Sequence, residues 1–208
     1  IPLNIVITGT SRGIGKQLAE YYVSKGYIVH GIARSESIIK HENYNHYELD
    51  LYETDSINNF FKNFRKTNKN LYGLINNAGV LTSLNSLIMP VSNLEEMINL
   101  NIRSNFLMTR EAAKLMMKSK IGRIIHIGSM ASKLEPSGDS VYAMTKSAIQ
   151  TLSRIISKEY STYGITSNNI NITYIETDLS KKIDKTAIKK IISNLPIPRK
   201  AEFEDIIN

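Results

Sequence analysis

Along the chain, short runs of apolar residues alternate with longer stretches in which apolar positions recur every three or four residues. The runs at 3–8, 28–33, 47–49, 71–76, 121–127 and 170–175 have strand length and strand composition. Between them, Ile14, Leu18 and Tyr22 repeat at i+4, and Ala148, Ile149, Leu152, Ile155 and Ile156 form a second helical stripe. Thr54 and Asp55 stand before Ile57, Phe60, Phe61 and Phe64, a helix start followed by the face it buries. Strand and helix in regular alternation predict an α/β protein, a doubly wound parallel sheet with helices on both faces. Its ligand belongs beyond the carboxyl ends of the strands.

Composition narrows this picture without redirecting it. A chain of 208 residues that is 42% hydrophobic can bury one large core, and no linker, repeat or low-complexity stretch divides it, so a single domain is expected. The net charge of +7 favours anionic ligands but does not choose among them. Lys and Arg are spread at helical surface spacing, with no basic tail and no basic block interleaved with aromatics, which argues against nucleic acid. There is no Cys, so disulfides, thiol nucleophiles and thiolate metal sites drop out. No apolar stretch approaches the roughly 18 residues of a membrane span, and no signal peptide precedes the first strand. A cytoplasmic protein is the expectation these features leave.

Behind the first strand the chain reads TGTSRGIG at 8–15. Gly9, Ser11, Arg12, Gly13, Ile14 and Gly15 do not follow the common G-x-G-x-x-G spacing, yet the physical task can be the same. A tight turn lets backbone approach a pyrophosphate, and the N–H groups of a helix start face the anion. A purely structural turn would use glycines as well, so the next strand has to discriminate. It ends at Ala33 and Arg34, where a site for a dinucleotide lacking a 2'-phosphate would place a carboxylate. With Arg12 and Arg34 nearby and Glu36 the one opposing acid, the pattern favours NADP(H) over NAD(H).

Further on, SVYAMTK puts Tyr142 and Lys146 four residues apart, on one face of a helix. A phenol titrates near 10, and a neighbouring ammonium favours its phenolate, chemistry suited to proton transfer at a carbonyl. Alone the pair is weak, because Y-x-x-x-K arises by chance.

Other motifs accompany it: NNAG at 76–79, NLNIRSNF holding Asn101, and GRIIHIGS ending in Ser129. Together they resemble the short-chain dehydrogenase/reductase family, in particular its 3-oxoacyl-carrier-protein reductase branch, from about Leu3 to the end. The resemblance implies a Rossmann-like fold and an NADPH-dependent ketone reductase acting on a small-molecule or acyl-carrier-bound carbonyl. It implies that Tyr142 is the general acid, that Ser129 hydrogen-bonds the carbonyl oxygen, and that Lys146 holds the nicotinamide ribose and lowers the Tyr142 pKa. Asn101 would position a water leading to Lys146. Asp50 and Leu51 would meet the adenine, Asn77, Ala78 and Gly79 the ribose, and Ile175 and Thr177 the nicotinamide end. Asn101 as a bridge between elements and Asp50 as a turn residue remain open alternatives.

The resemblance has departures. Where the family has Pro-Gly after the sixth strand, this chain has Ile172 and Thr173, and the Asn-rich SNNINITY suggests a less buried strand. The Lys- and Ile-rich stretch at 179–196 matches a substrate lid, whose basic residues would either meet an acidic carrier or phosphate or simply face solvent. The chain stops at EFEDIIN, short of the family's last strand, which predicts an uncovered sheet edge and a missing C-terminal piece. A homodimer or homotetramer built on helices at 93–117 and 140–163 is also implied. His126 reads as a core histidine, and His30, His41 and His46 lack metal-ligand spacing, so no metal is expected. Two other readings stay open: the same chemistry on a sugar or other small carbonyl, and a cofactor-binding regulator without catalysis.

Overall fold

The computed structural model describes residues 3–177, 180 and 185–207. Six parallel strands form one sheet: β1 (Asn4–Thr8), β2 (Ile28–Ala33), β3 (Tyr44–Glu48), β4 (Gly73–Asn76), β5 (Gly122–Ser129) and β6 (Ile165–Ile172). Their order is β3-β2-β1-β4-β5-β6, so the chain winds outward to one edge, returns past β1, and winds to the other. This is a Rossmann-like sheet, and the reversal between β1 and β4 opens the crevice in which such sheets bind ligands.

Alternation along each strand sends side chains to two cores. Val6, Ile32, Leu74 and Ile124 pack under α2 (Thr54–Thr67), α4 (Asn105–Ser119) and α6 (Ser140–Glu159). On the opposite face of the same strands, Ile7, Val29, Ile75 and Ile127 pack in a second core with Leu18, Ala19 and Val23 of α1 (Gly13–Ser24). The remaining helices are α3 (Val91–Met97), α5 (Ala131–Leu134), α7 (Lys185–Ser193) and α8 (Glu204–Ile207). Phe203, Ile206 and Ile207 return the end of the described chain to the α1 face.

Several expected boundaries move. The third strand starts at Tyr44, not Tyr47, because its sequence YNHYE hides a strand among polar residues. The sixth runs over Ile165–Ile172 instead of 170–175, since its α6-facing side is polar and hydrogen-bonded. There Ser167 Oγ lies 3.0 Å from Ser153 Oγ, and Gln150 Nε2 donates to Asn171 Oδ1 at 2.8 Å. The helix expected over 93–117 is α3 and α4 joined by a π-helical segment, Ile98–Ser104. The one expected over 140–163 ends at Glu159, with a 3-10 turn at Ser161–Tyr163. Ile155 belongs to the outer face of α6 and is 48% exposed. Neither Ile172 nor Thr173 has positive φ, and the Ile172 carbonyl accepts the Met130 N–H at 2.9 Å, so this turn does without a glycine.

Candidate active site

At the β1–α1 turn, Gly9 (φ 77°) and Gly13 (φ 58°) adopt the left-handed conformation that favours glycine. Gly15 is fixed by contact instead: a Cβ there would lie 2.2 Å from the Gly9 carbonyl oxygen. The loop is pinned to β4 through Thr8, whose Oγ1 accepts the N–H groups of Asn77 and Ala78, each at 3.0 Å. Asn77 Nδ2 donates back to the Thr8 carbonyl at 2.9 Å. The result is a groove lined by Gly9, Ser11, Arg12, Gly13, Arg34, Asp50 and Leu51 together with Asn77, Ala78 and Gly79. No acidic side chain occupies the first turn of α1, which leaves its amide dipoles facing that groove. Asp50 also closes its own turn, accepting the Tyr52 N–H at 2.9 Å, so the turn and lining readings both hold.

A second cavity adjoins the first, with Ile14, Asn77, Gly79 and Thr177 on both walls. Ser129 at the end of β5, Tyr142 and Lys146 from the first turns of α6, and Ile175 line it. Burial pushes the Tyr142 phenol up to about 12, against the opposing pull of a hydrogen bond with Ser129. Burial also lowers Lys146 to about 8, and its Nζ donates to the Ile127 carbonyl at 2.8 Å. Burial is the largest influence on the phenol, and Lys146 Nζ lies 5.7 Å from the centre of its ring. Asn101, in the π-helical segment, uses its amide to clasp Val80, accepting from N–H and donating to C=O, both at 2.9 Å. It also donates to Thr145 Oγ1 at 3.0 Å. Built onto Gly79, a Cβ would stand 3.3 Å from Asn101 Oδ1 and 3.6 Å from Lys146 Nζ, which places Asn101 beside the lysine without direct contact.

The model of the family described as short chain dehydrogenase matches residues 3–188. The chain belongs to the short-chain dehydrogenase family. It is an oxidoreductase that works with a nicotinamide dinucleotide. Among its curated relatives, the 3-oxoacyl-[acyl-carrier-protein] reductase of Escherichia coli (strain K12) is 31% identical, covering 98% of this chain and 86% of that protein. The reductase of the same name from Buchnera aphidicola subsp. Schizaphis graminum is 32% identical over the same shares. Among solved structures, ElxO with NADP bound superposes with a TM-score of 0.90 at 27% identity, covering 99% of this chain and 88% of that one. A protein assigned as a gluconate dehydrogenase, from Agrobacterium tumefaciens, gives 0.91 at 25% identity, with 99% and 85% covered.

Within this short-chain dehydrogenase, the sequence-predicted residues line two adjoining chambers at the crevice between β1 and β4, except Asn101 and Gly15, which line neither. Part of the stretch expected as a lid, Leu179 and residues 181–184, lies outside the described residues; Ile191 of α7 does reach the catalytic cavity. His126 is a core histidine, bonded to Asn105 Oδ1 at 2.8 Å and to Ser167 Oγ at 3.2 Å. Among the described residues, no group of His, Cys, Asp and Glu is placed to hold a metal ion, and no helix is long and apolar enough to cross a membrane. Sequence reasoning missed Thr8, which fastens the glycine loop, and Thr145, which holds Asn101. It also missed Tyr52, whose ring lies 5.7 Å from the Arg34 guanidinium, and Asp139 in the catalytic cavity. Asp139 stands three residues before Tyr142 in the sequence, a spacing that by itself marks no role.

Proposed function

We propose that this dehydrogenase reduces a ketone to a secondary alcohol with NADPH, and that its substrate is a 3-oxoacyl thioester. The observation that carries this reading is the convergence of Ser129, Tyr142 and Lys146 on one cavity continuous with the glycine-loop groove. The residues fit a dinucleotide: Gly9 and Gly13 line the groove in left-handed conformation, Gly15 lets α1 begin hard against the Gly9 carbonyl, and the start of α1, free of acidic side chains, would hold a pyrophosphate. When bound, the cofactor supplies the hydride. Tyr142 holds a proton on its phenol at neutral pH and delivers it to the carbonyl oxygen, to which the Ser129 hydroxyl also donates a hydrogen bond. Lys146, fixed by the Ile127 carbonyl, orients the ribose hydroxyls, and Asn101 keeps the Val80 backbone against α6. The two reductases that are about 30% identical act, by their names, on 3-oxoacyl groups of an acyl carrier protein, which supports the thioester.

Arg12 and Arg34 support NADPH over NADH, since their guanidinium forks match a 2'-phosphate in the groove they line. Titrating both cofactors by fluorescence tests this: NADPH is expected to bind at least about 10-fold more tightly, as one or two charge-assisted hydrogen bonds allow. Equal affinities would overturn the preference. NADPH oxidation on adding an acetoacetyl thioester tests the reaction itself. The relative assigned as a gluconate dehydrogenase favours, as a second reading, the same chemistry on a small hydroxylated carbonyl.

A further inference from the structure

One carboxylate in the catalytic cavity has no partner. Asp139 directly precedes α6, three residues before Tyr142, and lines the cavity with it. It is 9% exposed, and its Oδ1 atom is buried with no hydrogen bond. An aspartate at a helix start ordinarily caps it by accepting an N–H from the first turn, but Asp139 makes no such bond. Its backbone is fully engaged, N–H to the Pro136 carbonyl at 3.1 Å and C=O from the Ala143 N–H at 2.8 Å. Of the polar groups in the cavity, Lys146 donates to the Ile127 carbonyl, Ser129 Oγ accepts the Ala131 N–H at 3.1 Å and is hydrogen-bonded with Tyr142, and the Asp139 charge acts on the Tyr142 phenol without a hydrogen bond to it. The cavity wall includes the apolar side chains of Leu81, Leu134 and Pro136. A buried acceptor left open in this way costs stability, and it is explained when a ligand brings the missing donor.

We propose that Asp139 determines specificity by accepting a hydrogen bond from a substrate hydroxyl that lies within one helical turn of the carbonyl undergoing reduction. Within the ketone-reductase reading this favours substrates that carry a hydroxyl near the carbonyl, whether a hydroxylated 3-oxo chain or a small hydroxyketone, over a plain 3-oxo chain, which is reduced without that bond. A hydroxyl fits better than an ammonium because Lys146 shares the cavity and the chain already carries a net charge of +7. This inference rests on the ketone-reductase reading.

The test compares 4-hydroxy-2-butanone with 2-pentanone, in which a methyl replaces the hydroxyl, measuring kcat/KM with NADPH for the parent, Asp139→Leu and Asp139→Asn. The parent is expected to favour the hydroxyketone by at least about 10-fold, because a site built around a hydrogen bond rejects the analogue lacking it. Asp139→Leu should erase that ratio, and Asp139→Asn, which keeps an acceptor oxygen, should retain part of it. Equal efficiency in the parent, or a ratio unmoved by Leu, overturns the proposal. Turnover of neither ketone while an acetoacetyl thioester is still reduced also overturns it and leaves the reductase standing. Silence with all three substrates removes the reductase reading, and this inference with it.

Discussion

Burial moves Lys146 and Tyr142 in opposite directions, and each shift acts in its own pH window. Lys146 titrates near 8 in the folded protein against 10.5 ordinarily, so the unfolded chain binds the extra proton between those values. Stability attributable to this group therefore rises as pH climbs from 8 to 10.5. Lys146→Met removes that cost, about 3 kcal/mol at 1.4 per pH unit, and loses one hydrogen bond worth about 1 kcal/mol. The variant should unfold at higher urea than the parent below pH 8, with the advantage fading towards pH 10.5. A difference that stays constant with pH would contradict the assignment. For Tyr142 the sign reverses: its raised pKa contributes stability below pH 10 that is lost towards 12. At this scale the sequence was readable wherever chemistry has a fixed spacing, as with Gly9, Gly13 and Gly15 or Tyr142 and Lys146. Asp139 was not, because its significance lies in a hydrogen bond it does not make, and only coordinates reveal that.

Between elements, the apolar pattern located helices and strands well where one face is apolar, as in α2 with its buried Ile57, Phe60, Phe61 and Phe64. It failed where polar groups satisfy one another. Ser167, Asn169 and Asn171 give β6 a polar inner side, and nothing in hydrophobic periodicity marks that as buried strand. The π-helical turn holding Asn101 was equally hidden, since one widened turn scarcely alters a helical repeat. The α2–α4 contact supplies a test of polar packing. Glu111 of α4 is buried and accepts from Arg65 of α2 at 2.9 Å, Lys114 at 2.6 Å and Arg110 at 3.0 Å. Glu111→Ala leaves three cations facing one another and should cost about 1–3 kcal/mol in urea denaturation. A cost that vanishes would show the cluster to be surface pairing of little consequence.

For the whole molecule, strand–helix alternation was enough to place the ligand crevice, because winding both ways from β1 fixes where loops converge. Association with further copies was an expectation from resemblance, and the outer faces of α4 and α6 support it. Phe106, Met144 and Ile155 stand 44%, 48% and 48% exposed there. Sedimentation is expected to report a dimer or tetramer, and Ile155→Glu to shift it towards monomer; a monomeric parent would contradict this use of the helices. The central claim, that the cavity at the β1–β4 crevice is a ketone-reducing site with Tyr142 as its acid, meets its most direct test in one comparison. NADPH oxidation with an acetoacetyl thioester is measured for the parent and for Tyr142→Phe, which keeps the ring and removes the proton donor. The account predicts turnover by the parent, a fall of about 100- to 10,000-fold in kcat for the variant, and NADPH affinity little changed. Equal turnover by both proteins would contradict it.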